Sequence, residues 1–229
     1  MKKVWEALEK GPGMLICDFD GTLTMGGSSM HAAVHILGPE SAYSKEREAL
    51  YERYGWVKQV SPGKERDRKT AQTGRIWWEE QMKLYIRHCV RQETLEAAAE
   101  TLVPRPEAVK LVQRCLAADI PVWIVSAGVT NVIVCWLKRQ GLADERIRIL
   151  ANRIRYEDGI PAGYEEAVTA WNKAERFFSL AGDQKGRKLV FLGDNVMDLC
   201  WRMEDSESFL IEKQSQAVKI YEKINKSTK

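Results

Sequence analysis

Three short runs of consecutive apolar residues constrain the fold of this 229-residue chain more than any other feature. The runs are Met14–Cys17, Pro121–Val125 and Leu189–Leu192. Turn or polar residues bound each run, and such a segment is typical of a strand buried on both faces of a parallel sheet. Helical patterns precede the runs, and this alternation predicts an α/β fold with a parallel sheet.

Further patterns extend the predicted core around these strands. Apolar residues at helical spacing, Val4 and Leu8 among them, predict a short N-terminal helix. A second helix is expected to begin near Pro106, because proline is favoured in the first helical turn. A last strand at Ser208–Ile211 and a C-terminal helix complete the predicted core, and an alternating pattern within 147–163 predicts a small β-hairpin.

The stretch from about Gly26 to Thr101 interrupts the alternation of strands and helices. Three segments inside it have helical patterns and no strand pattern, namely 41–54, 73–90 and 92–101. We therefore expect an inserted helical domain at 26–101, with the α/β core formed by 1–25 and 102–229.

Composition and charge argue against several classes of protein. The chain is 45% hydrophobic and 29% charged, as is usual for a soluble globular protein. Its 35 basic and 32 acidic residues form no basic stripe, so no nucleic-acid polymer is expected as a partner. The sequence has no signal-peptide pattern and no apolar run of about 18 residues, and its five cysteines are scattered. These features predict a cytoplasmic protein outside the membrane.

Polar and acidic residues follow each of the three apolar runs. The sequences are Asp18–Thr22, Ser126–Gly128 and Gly193–Asp198. Because ligands of open parallel sheets bind beyond the carboxyl ends of the strands, we expect these residues to lie close together. Carboxylates that converge repel one another unless a hard cation with oxygen ligands lies between them, and Mg²⁺ is such a cation.

The acidic residues predict the chemistry of this site. Asp18 and Asp194 are the expected Mg²⁺ ligands, and a cation held by two carboxylates keeps positions for water and for a phosphate oxygen. Asp18 and Asp20 then share two roles. One carboxylate attacks phosphorus, while the other donates a proton to the leaving oxygen and later accepts one from water. The pattern alone leaves open which aspartate has which role.

Neutral and basic groups are expected to bind the phosphate itself. The Ser126 hydroxyl and the backbone N–H groups of Ala127 and Gly128 are predicted to lie at the start of a helix, where the helix dipole also favours anions. Lys173 is predicted to open the helix before the third apolar run. We expect its ammonium group to neutralise the charge that develops on the phosphate.

Each motif also has a simpler structural interpretation. An aspartate such as Asp18 close to a glycine is typical of a turn that ends a strand. Ser126 and Gly128 are common choices at a helix start, and Lys185 and Lys188 also precede the last acidic motif. The presence of all the motifs in order favours the catalytic interpretation.

Taken together, the motifs resemble those of phosphatases of the haloacid dehalogenase superfamily. The residues that carry the resemblance are Asp18–Thr22, Ser126, Lys173, and Asp194 with Asp198. The resemblance spans essentially the whole chain. It implies a Rossmann-like core, Mg²⁺ as cofactor, and a helical cap formed by the insert at 26–101.

The resemblance implies a role for each site residue. Asp18 is the nucleophile and a metal ligand, and Asp20 is the general acid and base and binds the metal through its carbonyl. Asp194 is a further ligand, and Asp198 supports the metal site. Asn172 orients the substrate or the lysine that follows it. An aspartate two residues after the nucleophile looks like the phosphatase branch of the superfamily.

Two branches of the superfamily are similar in further detail. Ile120–Gly128 and the hairpin region Asn152–Gly159 look like those of cytosolic pyrimidine 5′-nucleotidases. Phosphoserine phosphatases are close neighbours, but they usually carry glycine at the position of Ala127. The nucleotidases have an acidic residue that contacts substrate in the cap, and the roughly corresponding stretch here offers Lys58.

A group of cap residues has two interpretations. Trp77, Trp78 and Glu79 are suited to stack on and hydrogen-bond a base, whereas Trp78 and Met82, at helical spacing, are equally suited to the core of the cap. The three histidines are too dispersed for a metal cluster, so we expect them on the surface of the cap or in structural roles.

These expectations lead to a Mg²⁺-dependent phosphomonoesterase that works through an aspartyl-phosphate intermediate. Its substrate is expected to be a small soluble phosphate ester, with a nucleoside 5′-monophosphate as one candidate and phosphoserine or another metabolite phosphate as the alternative. A non-catalytic phosphate-binding module is the interpretation from a different class, since fold does not fix function. We expect a monomer or a homodimer. The sequence leaves open whether water or another alcohol accepts the phosphoryl group.

Overall fold

A six-stranded sheet forms the centre of the described part of the chain. The computed structural model describes residues 1–59, 68–165, 168–182, 184, 186–195, 206–211 and 218–220. The strands are β1 (Gly13–Cys17), β2 (Val122–Val129), β3 (Ile147–Asn152), β4 (Ile154–Glu157), β5 (Ile160–Tyr164), β6 (Lys188–Gly193), β7 (Ser206–Ile211) and β8 (Val218–Ile220). The sheet has the order β3-β2-β1-β6-β7-β8, in which β8 is antiparallel and the other five strands are parallel. The predicted α/β fold is confirmed.

Helices surround this sheet and fill the insert between β1 and the second half of the chain. They are α1 (Lys2–Leu8), α2 (Ala33–Leu37), α3 (Ala42–Tyr54), α4 (Arg68–Arg87), α5 (Gln92–Ala98), α6 (Pro106–Ala117), α7 (Thr130–Arg139) and α8 (Lys173–Ala181). Proline occupies the first turn of α6, as expected. Helices α2 to α5 confirm the predicted helical insert, which we call the cap, while the boundaries 26 and 101 stay a prediction.

The register of the parallel strands brings the motifs to one edge of the sheet. Cys17 is level with Ile124 of β2 and with Leu192 of β6. Asp18 directly follows Cys17, Ser126 lies two residues beyond Ile124 and Asp194 lies two residues beyond Leu192, so the three motifs lie side by side at this edge. The Asp18 backbone N–H donates to the Leu192 carbonyl at 3.0 Å, which extends the β1–β6 pairing into the site.

Burial on both faces explains the apolar run of β1. In β1, Leu15 and Cys17 belong to the larger core cluster, which also contains buried residues of α1, α6, α7 and the cap. Met14 and Ile16 point to the other face and pack in a second cluster with Phe177 of α8. Because neighbouring side chains of a strand face opposite sides, a strand covered on both sides has no position for a polar residue.

The two linkers of the cap run side by side as they leave and rejoin the core. Thr24 and Pro104 form an antiparallel bridge, and the Met25 N–H donates to the Val103 carbonyl at 2.8 Å. The larger core cluster includes side chains from the cap and from the sheet, Tyr85 and Leu15 among them. The cap is therefore tied to the core by backbone pairing and by shared apolar packing.

Trp136 anchors the loop that carries the first acidic motif. Its ring is fully buried and meets the ring of Phe19 edge-on, with the centroids 5.0 Å apart. Its Nε1 donates to the Leu102 carbonyl at 3.0 Å, which connects α7 to the end of the cap. Phe19 lies between the two aspartates of the motif, so this packing fixes the base of the site.

Replacing Trp136 by phenylalanine is expected to lower the free energy of unfolding by about 1–3 kcal/mol, because the Leu102 carbonyl loses its donor inside the core. Chemical denaturation monitored by circular dichroism measures this difference. Trp56→Phe is the matched control, since Trp56 is 43% exposed and should tolerate the change. Equal stabilities of the two variants would contradict the anchoring role of the indole N–H.

Two further expectations have different outcomes. The hairpin is confirmed, since β4 and β5 pair in antiparallel fashion. The predicted C-terminal helix is wrong for residues 218–220, which form strand β8 and pair with the edge strand β7. Residues 221–229 lie outside the described part. Among the described residues, no helix combines the length and the apolar character needed to cross a membrane.

Candidate active site

A cavity of about 700 Å³ lies at the carboxyl edge of the parallel sheet. It brings together seven residues that the sequence pointed to, from β1, β2, α8 and the end of β6: Asp18, Asp20, Ser126, Ala127, Gly128, Lys173 and Asp194. The convergence expected from strand polarity is therefore present. Asp198, to which the resemblance assigned a supporting role, lies outside the described residues.

Asp18 and Lys173 form a buried ion pair at the floor of the cavity. The Lys173 Nζ donates to Asp18 Oδ1 at 2.8 Å. Only 9% of the Asp18 side chain and 4% of the Lys173 side chain are exposed. A carboxylate and an ammonium group so far from water stabilise each other, whereas either one alone would be strongly unfavourable. Of the candidate lysines that the structure describes, Lys173 and not Lys188 lies next to the first acidic motif, while Lys185 lies outside the described residues.

Asp20 is held by three hydrogen bonds from the beginning of the cap. The Ser29 N–H donates to Oδ1 at 2.7 Å, the Ser29 hydroxyl donates to Oδ2 at 2.8 Å, and the Ser28 hydroxyl donates to Oδ2 at 3.3 Å. Burial, assisted by the negative charge of Asp18, raises the pKa of Asp20 to about 7, against the lowering effect of the Ser29 hydrogen bonds. Such a carboxyl group can both donate and accept a proton near neutral pH.

Ser29 also connects Asp20 to the second motif. Its fully buried hydroxyl accepts a hydrogen bond from the Val129 N–H at 3.2 Å while it donates to Asp20. A Cβ atom at Gly128 would lie 1.9 Å from this hydroxyl oxygen. Gly128 is therefore required for the close approach of Ser29. The sequence around Gly128 did not predict this role.

Replacing Ser29 by alanine is expected to raise the pKa of Asp20, because the hydroxyl donates to the charged form and lowers that pKa. The limb of the pH–rate profile that reports Asp20 should therefore move to higher pH. Ser28→Ala, which removes only the longer bond, is the control. An unshifted profile in Ser29→Ala would show that Ser29 does not tune Asp20.

The second motif adopts a different local structure from the one expected. Strand β2 continues through Val129, and α7 begins only at Thr130, so Ala127 and Gly128 are not at a helix start. The pairing of Val129 with Asn152 of β3, after an irregularity in register, extends the strand. The Gly128 N–H donates to the Ser126 hydroxyl at 3.0 Å, which leaves the hydroxyl hydrogen of Ser126 for another acceptor.

Asn152 connects the second motif to the segment before Lys173. Its side chain is fully buried, and its amide donates to the carbonyls of Ala127, Gly128 and Val168 at 2.9–3.1 Å. Its Oδ1 accepts from the Val168 N–H at 2.6 Å. One side chain therefore satisfies backbone groups of β2 and of the segment before α8.

Asn172 shapes the turn that leads into α8. Its Oδ1 accepts from the Thr169 N–H at 2.7 Å and from the Thr169 hydroxyl at 3.2 Å. Asn172 precedes the first residue of the helix, Lys173. Its two implied roles, orientation of the substrate or of Lys173, stay predictions.

Asp194 follows β6 and lies against the turn after Asp20. A Cβ atom at Gly21 would be 2.3 Å from Asp194 Oδ2, and Gly21 has a φ of 80°, so only glycine fits this turn without strain. The described residues contain no group of three His, Cys, Asp or Glu side chains with the arrangement of a metal site. Two carboxylates with one backbone carbonyl suffice for Mg²⁺, which keeps waters and substrate oxygens as its other ligands, so the donor set present fits this cation.

Residues of the cap form the opposite wall of the cavity. Trp77 and Trp78 line it with their rings stacked at 5.2 Å, and both are buried, so they serve the cap core and the cavity wall together. Glu79 accepts a hydrogen bond from Arg75 at 2.8 Å and is not part of the described wall. The side chain of Lys58 lies outside the described part of the structure.

Several residues of the wall were not anticipated. His31 and His35 line the cavity, although the sequence suggested the surface of the cap or structural roles. Trp171 also lines it, and a Cβ atom at Gly74 of α4 would be 2.2 Å from the Trp171 ring, so the core and the cap touch there. Their spacing along the chain matches no motif, and only the tertiary fold brings these residues together.

Comparison with known proteins identifies the family of the chain. The profile of the family described as haloacid dehalogenase-like hydrolase matches residues 15–201, which is well over half of the chain. The chain therefore belongs to the haloacid dehalogenase-like hydrolase family. Among curated proteins, no sequence matches the chain.

Solved structures share the fold at low sequence identity. Cytosolic 5′-nucleotidase IIIB bound to cytidine has a TM-score of 0.68 at 18% identity, over 87% of this chain and 72% of that one. A phospho-aspartyl intermediate analogue of phosphoserine phosphatase has a TM-score of 0.54 at 17% identity, over 83% of this chain and 81% of that one. A hydrolase of the same family from Salmonella enterica serovar Typhi has a TM-score of 0.60 at 15% identity, over 83% of this chain and 59% of that one. At such identities the likeness shows the shared fold alone.

Proposed function

We propose that this protein is a Mg²⁺-dependent phosphomonoesterase in which Asp18 is the nucleophile and Asp20 is the general acid and base. The observation that carries the proposal is the buried 2.8 Å contact between Asp18 and Lys173, in the same cavity as Asp20. A carboxylate can approach a phosphate ester only if nearby positive charge offsets the repulsion between the two anions. Membership of a hydrolase family supports the same reaction type.

In the first step, a carboxylate oxygen of Asp18 forms a bond to phosphorus while the bond from phosphorus to the ester oxygen breaks. Asp20, with its pKa raised to about 7, retains a proton in a large fraction of molecules at neutral pH. It donates this proton to the leaving oxygen, and the alcohol departs as a neutral molecule. The phosphoryl group is then attached to Asp18.

In the second step, the Asp20 carboxylate accepts a proton from water as the water oxygen attacks phosphorus. The bond from phosphorus to Asp18 breaks, and inorganic phosphate is released. The net reaction consumes one water molecule and regenerates both carboxyl groups. The hydrogen bonds from Ser29 hold the Asp20 side chain in the same orientation in both steps.

The remaining groups bind the phosphate oxygens in this proposal. The Ser126 hydroxyl accepts from the Gly128 N–H, so its own hydrogen is available to a phosphate oxygen. The Lys173 ammonium group, already in contact with Asp18, neutralises charge that develops on the transferred group. Ala127 lies beside them in the cavity wall and offers its backbone N–H.

The same proposal assigns the metal ligands. Asp18, Asp194 and the Asp20 carbonyl would hold Mg²⁺, and Asp198 would support the site. When bound, the cation supplies positive charge to the phosphate oxygens as a Lewis acid. The cluster of carboxylates supports this assignment, because Asp18, Asp20 and Asp194 line one cavity with Lys173 as the cation in contact with Asp18.

We further propose a small soluble phosphate ester as substrate. A cavity of about 700 Å³ accommodates a molecule of metabolite size, and its tryptophans favour a planar group such as the base of a nucleoside 5′-monophosphate. Phosphoserine or another metabolite phosphate is the alternative. The proposal includes a cap at 26–101, a cytoplasmic location and a monomeric or homodimeric state.

Phosphate release from a panel of substrates tests this function. The panel contains nucleoside 5′-monophosphates, phosphoserine, sugar phosphates and p-nitrophenyl phosphate, each with Mg²⁺ and with a chelator. We expect Mg²⁺-dependent release, with nucleoside monophosphates preferred. Preference for phosphoserine would favour the alternative, and binding of phosphate esters without any release would favour a non-catalytic module.

A further inference from the structure

Arg105 is a buried cation that holds the turn after the first acidic motif. It lies immediately before α6, where the cap rejoins the core, and is only 3% exposed. Its Nε donates to the Thr22 carbonyl and its Nη2 donates to the Gly21 carbonyl, each at 3.1 Å. Its backbone N–H donates to the Leu23 carbonyl at 2.8 Å. Three successive carbonyls of the turn are therefore bound by one residue.

A guanidinium group is an unusual choice for a purely structural contact at this depth. Burial of a charge is strongly unfavourable unless it is paired, and within the described residues no carboxylate lies within ion-pair distance of Arg105. Arg105 lines the same cavity as Asp18, Asp20 and Asp194. These carboxylates and the two carbonyl dipoles are the nearby groups that can offset its charge.

The hydrogen bonds of the turn distinguish one carbonyl from the others. The Phe19 carbonyl accepts from the N–H groups that follow it in the turn, and the carbonyls of Gly21, Thr22 and Leu23 accept from Arg105. Within the described part of the chain, no hydrogen bond reaches the carbonyl of Asp20. This oxygen remains available to a cation.

We propose that Arg105 is a positioning residue for the metal site, because its fork holds the Gly21 and Thr22 carbonyls on one side of the turn and so presents the Asp20 carbonyl to the cation. This inference rests on the Mg²⁺ site of the proposed function. A planar guanidinium with donors in a fixed geometry can bind two successive carbonyls at once, which a lysine ammonium group does less well.

Electrostatics alone would have the opposite effect. A positive charge in the cavity repels a divalent cation, so its removal should tighten metal binding if charge were the whole contribution. If Arg105 instead orients a ligand, its removal should weaken binding. The sign of the change in affinity therefore separates the two explanations.

The experiment measures Mn²⁺ binding by electron paramagnetic resonance in the wild type, Arg105→Met and Arg105→Lys. We expect the dissociation constant to rise at least about tenfold in Arg105→Met, as is typical when groups that orient metal ligands are removed. Arg105→Lys should show a smaller rise, because an ammonium group can still donate to one of the two carbonyls although it cannot bind both as the guanidinium does. In both variants kcat at saturating Mg²⁺ should recover most of its wild-type value, and thermal unfolding confirms that the variants are folded.

Arg114→Met is the matched control, since Arg114 lies on α6 with its guanidinium 3.7 Å from the centroid of Trp5. It should bind Mn²⁺ like the wild type. Unchanged or tighter binding in Arg105→Met, or wild-type affinity in Arg105→Lys, would overturn the proposal. Absence of Mn²⁺ binding in the wild type would overturn it together with the metal site. Absence of phosphatase activity with Mn²⁺ binding intact would count against the proposed function alone.

Discussion

Replacement of Asp18 by asparagine is expected to abolish phosphate release from every substrate of the panel, with a loss of at least about a thousandfold in kcat. A carboxamide is a poor nucleophile toward phosphorus and a weaker metal ligand than a carboxylate. The substitution keeps the size of the side chain, so the packing of β1 and the Phe19–Trp136 contact should persist. Phosphate release by the purified variant measures the effect, and circular dichroism confirms the fold.

Asp158→Asn is the matched control for this substitution. Asp158 is exposed in the turn between β4 and β5 with a φ of 50°, a conformation that asparagine also tolerates. It should retain wild-type activity. Mass spectrometry of acid-quenched reactions adds a second test, because a phosphate adduct is expected on wild-type Asp18 and on no peptide of Asp18→Asn. Full activity of Asp18→Asn would refute the mechanism.

Replacement of Lys173 by methionine is expected to reduce kcat/KM by about a hundredfold or more, because it removes the cation that contacts the proposed nucleophile, Asp18. The same change leaves the buried Asp18 carboxylate without its partner. In the absence of metal, this should lower the free energy of unfolding by about 3–5 kcal/mol. Thermal and chemical denaturation measure the loss.

Mg²⁺ provides the decisive comparison for Lys173. If the cation binds Asp18, it should supply the charge that the variant lacks, so Mg²⁺ should raise the unfolding temperature more in Lys173→Met than in the wild type. Lys188→Met is the control, since Lys188 lies at the beginning of β6, away from the site, and pairs with Glu207 at 3.1 Å. If Mg²⁺ raises the unfolding temperature equally in the wild type and in Lys173→Met, the cation does not offset the Asp18 charge that Lys173 offsets in the wild type.

Much of the sheet and part of the site could be predicted because they depend on local patterns. An apolar run buried on two faces is visible in the sequence, and the polarity of parallel strands then brings the residues after each run to one edge. Asp18 and Asp194 are found in this way, because each directly follows its strand. Lys173 could be predicted because it opens a helix before β6.

The groups that orient these residues could not be predicted, because their partners are distant in sequence. Ser29 reaches Val129 and Arg105 reaches Gly21, and neither pair has a spacing with periodic meaning. Asn152 binds backbone groups of β2 and of the segment before α8, and a buried asparagine at the end of a strand has no sequence signature. The expected helix start at Ala127 was wrong for a similar reason, since pairing with β3 extends the strand beyond the local signal.

The close contact between Trp171 and Gly74 fixes the distance between the core and the cap beside the cavity. Trp171 stands two residues before Lys173 on the core, while Gly74 belongs to the cap helix α4. A methyl group at position 74 would already meet the indole ring at 2.2 Å, so any larger residue must tilt α4 outward or displace the ring. A graded series of larger residues at position 74 is therefore expected to change the distance between α4 and the core or the position of the Trp171 ring, without replacing any of the proposed catalytic residues.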